Sequence, residues 1–192
     1  MIVGITGNYC SGKDSASLIF ADHGYSIIDV DKIGYEALEV KKDEIIFAFG
    51  GEVVLDGLID RKKLGEIVFK KSAEKKKLEA IVHPWMIRRV KTLIERDKNT
   101  VINAALLVEM CLFVVCDFVL GIEIDEEIAV TRGIKRDHLS REEVVGRWRA
   151  QIPLKEKLHY VDKIIDNNGG IDDFKEKIAG VIKQIGKVAQ YK

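Results

Sequence analysis

Residues 7–14 read GNYCSGKD. Two glycines, Gly7 and Gly12, followed at once by Lys13, make the G-x-x-x-x-G-K spacing of a phosphate-binding loop. The chemistry follows from the residue types. Glycines let backbone N–H groups turn inward around phosphate oxygens, lysine adds a positive charge, and a following helix offers its N-terminus. The spacing therefore assigns Gly7, Asn8, Tyr9, Cys10, Ser11, Gly12, Lys13, Asp14 and Ser15 to nucleotide binding. Position 14 departs from the pattern, because a Ser or Thr hydroxyl is expected there as a neutral oxygen ligand for magnesium. Asp14 is also a hard oxygen donor, one atom longer and negatively charged. A working site with an altered metal arm is expected, and Ser15 is the next candidate for that arm. Cys10 lies close to the helix start and to Lys13. Both lower a thiol pKa, so alkylation of Cys10 is expected to inactivate and ATP to slow it; the alternative is that Cys10 faces the core and is inert.

Two further groups have types suited to phosphoryl transfer. The segment IIDVD places Asp29 and Asp31 at the end of an apolar run. Asp29 reads equally well as a cap for the next helix. Asp31 is the better candidate to accept a proton from an acceptor hydroxyl or to orient a magnesium-bound water. Arg132 and Arg136, in TRGIKRD, are four apart and share a helical face. Alone they would read as a solvated basic face. Beside a phosphate loop they can neutralise a transferring phosphoryl group.

The elements that must position these residues are visible as apolar runs. MIVGIT, YSIIDVD, TVINAALLVE, CDFVLGIEI and YVDKIIDNNG read as five buried strands. KDSASLIFAD has helical spacing with Gly24 as its stop, and the chain closes on an amphipathic helix weakened by Gly180 and Gly186. Strands alternating with helices imply a three-layer α/β/α fold with a five-stranded parallel sheet. Such sheets bind ligands beyond the carboxyl ends of their strands, where the loop, Asp31, Glu109 and Asn167 fall. Two helical excursions interrupt the alternation. In the first, about 33–97, Asp60 caps RKKLGEIVF, Ser72 caps the next helix, and HPW starts another with Pro84 at its first position. In the second, about 127–155, SREE is a capping box of Ser140 with Glu143, and Pro153 ends the helical run. One domain over 1–192 is expected, with its core at about 1–32, 98–126 and 156–192.

Lys and Arg number 31, as do Asp and Glu, in 192 residues. Zero formal net charge argues against nonspecific nucleic-acid binding. Three cysteines make no disulfide framework, and the start lacks a basic n-region. Glu109 and Asp117 interrupt the most apolar stretch, which argues against a membrane span. A cytoplasmic protein, with the monomer favoured, is expected.

The ordered blocks GITGNYCSGKDSAS, HGYSIIDVDKIGYE, DGLIDRKKLGEIVF, LEAIVHPW, LLVE, RGIKRD…SREE…Q and VDKIIDNNG run almost end to end. Together they resemble the dephospho-CoA kinase family. The resemblance implies a P-loop kinase core with a helical substrate lobe and a helical lid. It implies ATP-dependent phosphorylation of the ribose 3′-hydroxyl of dephospho-CoA with Mg2+, the last step of coenzyme A biosynthesis. Carried over by position, Asp31 is the catalytic carboxylate, and Lys13 and Arg136 act on the transferring phosphate, with Arg132 also at the nucleotide. Asp14 and Asp31 are the metal candidates. Arg61 and His83 fall in substrate blocks; a helix-start ion pair for Arg61 and an N-cap for His83 are the structural alternatives. Glu109 stays open between substrate contact and buried salt bridge. Asn167 and Gly169 fall in the turn near the ATP base. Asp14, Ala105 in place of a proline, and the glycine-poor Asn8-Tyr9-Cys10 run depart from the family pattern. Two other readings remain: another P-loop kinase for a nucleotide or metabolite, and a non-catalytic ATP sensor in which Asp14 abolishes turnover.

Overall fold

Strand β1 (Ile2–Gly7) is buried from Val3 onward, because it is central in a sheet covered on both faces. Its neighbours are β5 (Thr100–Asn103) on one side and β6 (Phe118–Glu123) on the other, both parallel. Strands β2 (Ser26–Asp29) and β7 (Lys163–Asp166) complete the parallel order β2-β5-β1-β6-β7. This is the expected five-stranded α/β sheet. The computed structural model describes residues 1–68, 70–95 and 98–189, without the side chains of residues 188 and 189. Phe69, at the end of the predicted RKKLGEIVF helix, lies outside the described residues, as do the predicted boundaries at 97 and 192.

The chain divides into two compact units. The first comprises 1–29 and 95–192, and the second 30–94. In the first, helix α1 (Lys13–Asp22) buries Ala16 and Phe20 in a cluster with β1. Helix α8 (Ile171–Ala189) adds Phe174, Ile178, Val181 and Ile185 to the same cluster, a stripe at helical spacing that carries the helix through Gly180 and Gly186. Helices α6 (Glu126–Asp137) and α7 (Arg141–Arg149) make the second excursion. The predicted capping box opens α7: Glu143 N–H donates to Ser140 Oγ at 3.2 Å, and Ser140 N–H to Glu143 Oε2 at 2.9 Å.

Two predicted strand ends are shorter than expected. Strand β2 stops at Asp29, and Asp31 lies in the first turn of α2 (Val30–Val40). Strand β5 stops at Asn103. The chain then turns, with Met110 N–H donating to the Leu106 carbonyl and Leu112 N–H to that of Leu107. LLVE is therefore a folded turn, with Leu107 fully buried, and Glu109 does not end a strand.

The second unit is helical apart from one hairpin. Helix α3 (Lys42–Phe49) is followed by β3 (Val54–Leu55) and β4 (Leu58–Ile59), which pair antiparallel through Asp56-Gly57. Both turn residues have positive φ, 51° and 80°, as a type I′ turn demands. Asp60 caps α4 (Arg61–Val68) as predicted, its Oδ1 accepting from Lys62 and Lys63 N–H. Helix α5 corrects the sequence reading. It runs unbroken from Ser72 to Leu93 with Pro84 inside it, so HPW starts no helix and His83 is not an N-cap. An interior proline costs about 3 kcal/mol. The buried stripe of Val82, Met86 and Val90, at about 1.5–3 kcal/mol each, outweighs it.

Phe20 is fully buried and meets Tyr25 edge-on at 5.1 Å. Phe20→Ala is expected to lower unfolding free energy by about 3–5 kcal/mol. Urea titration followed by circular dichroism checks this. A loss below about 1 kcal/mol would contradict the packing described.

Candidate active site

The turn from β1 into α1 makes the site. Gly12 caps α1 with φ 98° and ψ 19°, a left-handed conformation that glycine adopts at little cost. A Cβ on Gly12 would also collide with Asn167 Nδ2. That amide donates to the Ser11 carbonyl at 2.8 Å, so β7's end braces the loop. At Gly7 a Cβ would lie 2.5 Å from the Ile122 carbonyl oxygen and from Ser11 Oγ. Space therefore requires both motif glycines, and at Gly12 the backbone requires one as well. Lys13 is buried, with Nζ 3.5 Å from the Asn8 carbonyl. Asn8 Oδ1 accepts from Leu154 N–H at 3.2 Å.

A cavity of about 460 Å³ opens over this turn. Cys10, Gly12, Lys13, Asp14, Ser15, Arg132, Arg136 and Asn167 line it. Eight residues assigned to nucleotide binding from sequence therefore meet in one place. Gly7, Asn8, Tyr9, Ser11 and Gly169 are not among the lining residues. Ile171 and Phe174, in the first turn of α8, line it too and were missed. Their apolar spacing reads as core, and nothing in the sequence says that the near end of α8 borders the loop.

Asp14 is exposed in the first turn of α1, and Asn103 Nδ2 donates to its Oδ1 at 2.8 Å. That bond fixes the Asn103 amide and leaves Asn103 Oδ1 buried without a partner. Among the described residues no group of three His, Cys, Asp or Glu could hold a metal. Kinase magnesium is held by one or two carboxylates with substrate phosphates and waters. An exposed carboxylate at the cavity wall fits such an ion.

Cys10 corrects a prediction. Its side chain packs with Ile124 and Ala129 and is 8% exposed. Burial pushes the thiol pKa up, and the opposing charges of Arg136 and, less strongly, Lys13 do not overcome it. The helix start and lysine were legible; the apolar cover was not.

Arg136 donates to its neighbour Asp137 through Nε at 2.8 Å and Nη2 at 3.0 Å. Hydrogen bonding from Arg136, with help from Tyr9, draws the Asp137 carboxyl down to about 2 against its partial burial. Tyr9 is pushed up to about 12, by burial first and by its bond to Asp137 second.

Glu109 makes a buried charge pair. Lys157 is 3% exposed, and its Nζ lies 2.7 Å from Glu109 Oε1. This is a charge contact that leaves both Glu109 oxygens without an aligned hydrogen bond. Lys157 also donates to the Ala105 carbonyl at 3.1 Å. Sequence reading missed Lys157, whose surroundings read as a solvated run. In the second unit, Arg61 is exposed at the start of α4, its guanidinium 4.3 Å from the Tyr35 ring centroid. This is a cation–π contact in place of a helix-start ion pair. His83 is half-buried in mid-α5, and Asp31 is exposed.

The family model for dephospho-CoA kinase matches residues 1–173. A dephospho-CoA kinase of Fusobacterium nucleatum is 36% identical over 183 residues, covering 93% of this chain and 95% of the relative. One of Oceanobacillus iheyensis is 36% identical over 193 residues, covering 96% and 97%. A solved dephospho-CoA kinase from Campylobacter jejuni superposes with a TM-score of 0.70 at 29% identity, over 98% of each chain.

At neutral pH, a maleimide or iodoacetamide should modify exposed Cys111 well before Cys10 in the folded chain, because the thiolate is the reacting form and Cys10 is covered. Peptide mass spectrometry after partial reaction reads the order. Cys10 reacting first would show that the loop opens.

Proposed function

The chain belongs to the dephospho-CoA kinase family, and from that premise we propose how its residues carry the ATP-dependent phosphorylation of dephospho-CoA, with ATP in the cavity of the first unit. The observation that carries this reading is the meeting of Lys13, Arg132 and Arg136 with the phosphate loop in that cavity. Three cations lining one cavity with the N-terminus of α1 suit a triphosphate and the charge that spreads over the transferring phosphoryl oxygens.

The acceptor is the ribose 3′-hydroxyl. Asp31 takes its proton as the oxygen forms its bond to the γ-phosphorus, and the bond to the β,γ-bridging oxygen breaks to release ADP. Lys13 and Arg136 offset the charge on the transferring group, and Arg132 contacts the nucleotide. Asn167 and Gly169 lie near the base. The loop residues Gly7, Asn8, Tyr9 and Ser11 shape the phosphate cradle from beneath the lining. The second unit serves as the substrate lobe, with Arg61 and His83 contacting dephospho-CoA. Residues 127–155 serve as the lid that keeps water from the phosphoryl group. Asp14 and Asp31 would hold magnesium, which would supply charge neutralisation to the phosphates. Glu109, paired to Lys157, orders the turn after β5 and is the further candidate for contact with substrate. The protein works in the cytoplasm as a monomer. Among the described residues no helix is long and apolar enough to cross a membrane.

Incubation with magnesium ATP and dephospho-CoA should give CoA and ADP in equal amounts. ATP turnover without CoA would overturn this reading. Asp31→Asn should keep ATP affinity and lose roughly 10²–10⁴-fold in kcat; near-normal turnover removes Asp31 from the proton transfer.

Asp14 adds negative charge beside the triphosphate unless a metal offsets it. ATP affinity should therefore depend strongly on magnesium, and Asp14→Ser should improve metal-free ATP binding while keeping transfer. Calorimetry with and without magnesium reads this. Identical magnesium dependence in both proteins would pass the metal arm to Ser15.

A further inference from the structure

Tyr9 is a phosphate-loop residue whose side chain belongs to the lid. Its hydroxyl donates to Asp137 at the end of α6. Its ring meets two guanidinium groups, with Arg136 Cζ 5.2 Å and Arg147 Cζ 5.8 Å from the ring centroid. The ring edge presses on α6 at Gly133, where a Cβ would come 2.9 Å from Tyr9 Cε1. Its backbone N–H donates to Gln151 Oε1, just past α7, at 2.7 Å. One residue thus ties the loop to both helices of the excursion.

These contacts converge on a single side chain. Asp137 receives Arg136 through Nε and Nη2, receives Tyr9 on the same carboxylate, and has Arg147 Nη1 at 3.9 Å from Oδ2. A bidentate pair fixes the plane of a guanidinium. It engages Nε and one Nη2 hydrogen of Arg136. One carboxylate against two guanidinium groups leaves the cluster cationic. Arg136 lines the cavity with Lys13, so the plane set by Asp137 is presented to the same space. Arg136 is half-exposed, and without a brace a long side chain there loses rotamer entropy each time it is ordered.

We propose that Tyr9 is a positioning residue for phosphoryl transfer: through Asp137 it fixes the guanidinium of Arg136 against the phosphate loop. The proposal rests on the reading that Arg136 acts on the transferring phosphate. Tyr9 need touch neither substrate. It transmits the position of the loop to the arginine, so that the two cationic parts of the site keep one geometry.

The test is a kinetic cycle on the full chain with magnesium ATP and dephospho-CoA. Tyr9→Phe keeps the ring against Gly133 and removes only the hydroxyl. Its kcat should fall roughly tenfold, the scale of one hydrogen bond to a charged group. KM for both substrates and the thermal midpoint should stay close to wild type, a split that damage to the loop's own phosphate binding would not give. Asp137→Asn should show the same split, and it carries the test if Tyr9→Phe folds poorly. In an Arg136→Ala background the hydroxyl should no longer matter, so Tyr9→Phe adds nothing further to kcat. An undiminished kcat in Tyr9→Phe, or an equal loss with and without Arg136, overturns the positioning role. An undiminished kcat in Arg136→Ala alone sinks the underlying reading of Arg136, and that result is distinguishable from the other two.

Discussion

Everything at the site depends on one reversal of the backbone at Gly12. The chain leaves the centre of a parallel sheet and must enter a helix within five residues. Only a left-handed residue does this, and here the space for any side chain is already taken by Asn167. The rest of the first unit is arranged to hold that turn. Strands β5 and β6 pin β1 on both sides, and β7 ends where Asn167 can reach the Ser11 carbonyl. Helix α8 packs into the cluster that holds α1. A preorganised cradle of this kind does not reorganise during the reaction, which is the main reason fixed dipoles stabilise transferring charge better than water does.

The loop departs from a glycine-rich run without losing its path. Cys10 has φ 59°, a conformation that costs a residue with a Cβ about 1–2 kcal/mol. The cost is offset by packing, since the side chain that creates the strain is buried against Ile124 and Ala129. Tyr9 shows the same exchange in another form, as a larger residue is accommodated because Gly133 leaves room for its ring. The loop is therefore less free than a glycine-rich one, and more of its geometry is set by contacts with α6 and α7.

The sheet and the phosphate loop were legible because their signals are local: apolar runs of strand length, and a glycine–lysine spacing that one turn imposes. Arg132 and Arg136 were legible because four-residue spacing shares a face whatever the tertiary structure. What failed depended on contacts far apart in the chain. Pro84 reads as a helix start, yet the stripe of Val82, Met86 and Val90 carries α5 through it. Cys10 reads as an activated thiol, yet Ile124 and Ala129, more than a hundred residues away, cover it. Glu109 was left open because its partner Lys157 is 48 residues further on. Ile171 and Phe174 carry no mark that separates cavity wall from core.

Ala105 shows why a departure from a family pattern need not be a departure in chemistry. The resemblance leads one to expect proline there. The residue's working group in this structure is its carbonyl oxygen, which accepts from Lys157 Nζ at 3.1 Å and from Thr6 Oγ1 at 3.3 Å. Proline and alanine both supply a carbonyl, and they differ in the N–H and in φ. The position therefore supplies a backbone acceptor that either residue provides, while the ammonium it helps to hold is constrained strongly. A buried lysine without its partners would carry an uncompensated charge, costly by about 3–5 kcal/mol. The Ala105 carbonyl and Glu109 together satisfy that lysine, and through it they tie the segment after α7 to the turn beyond β5.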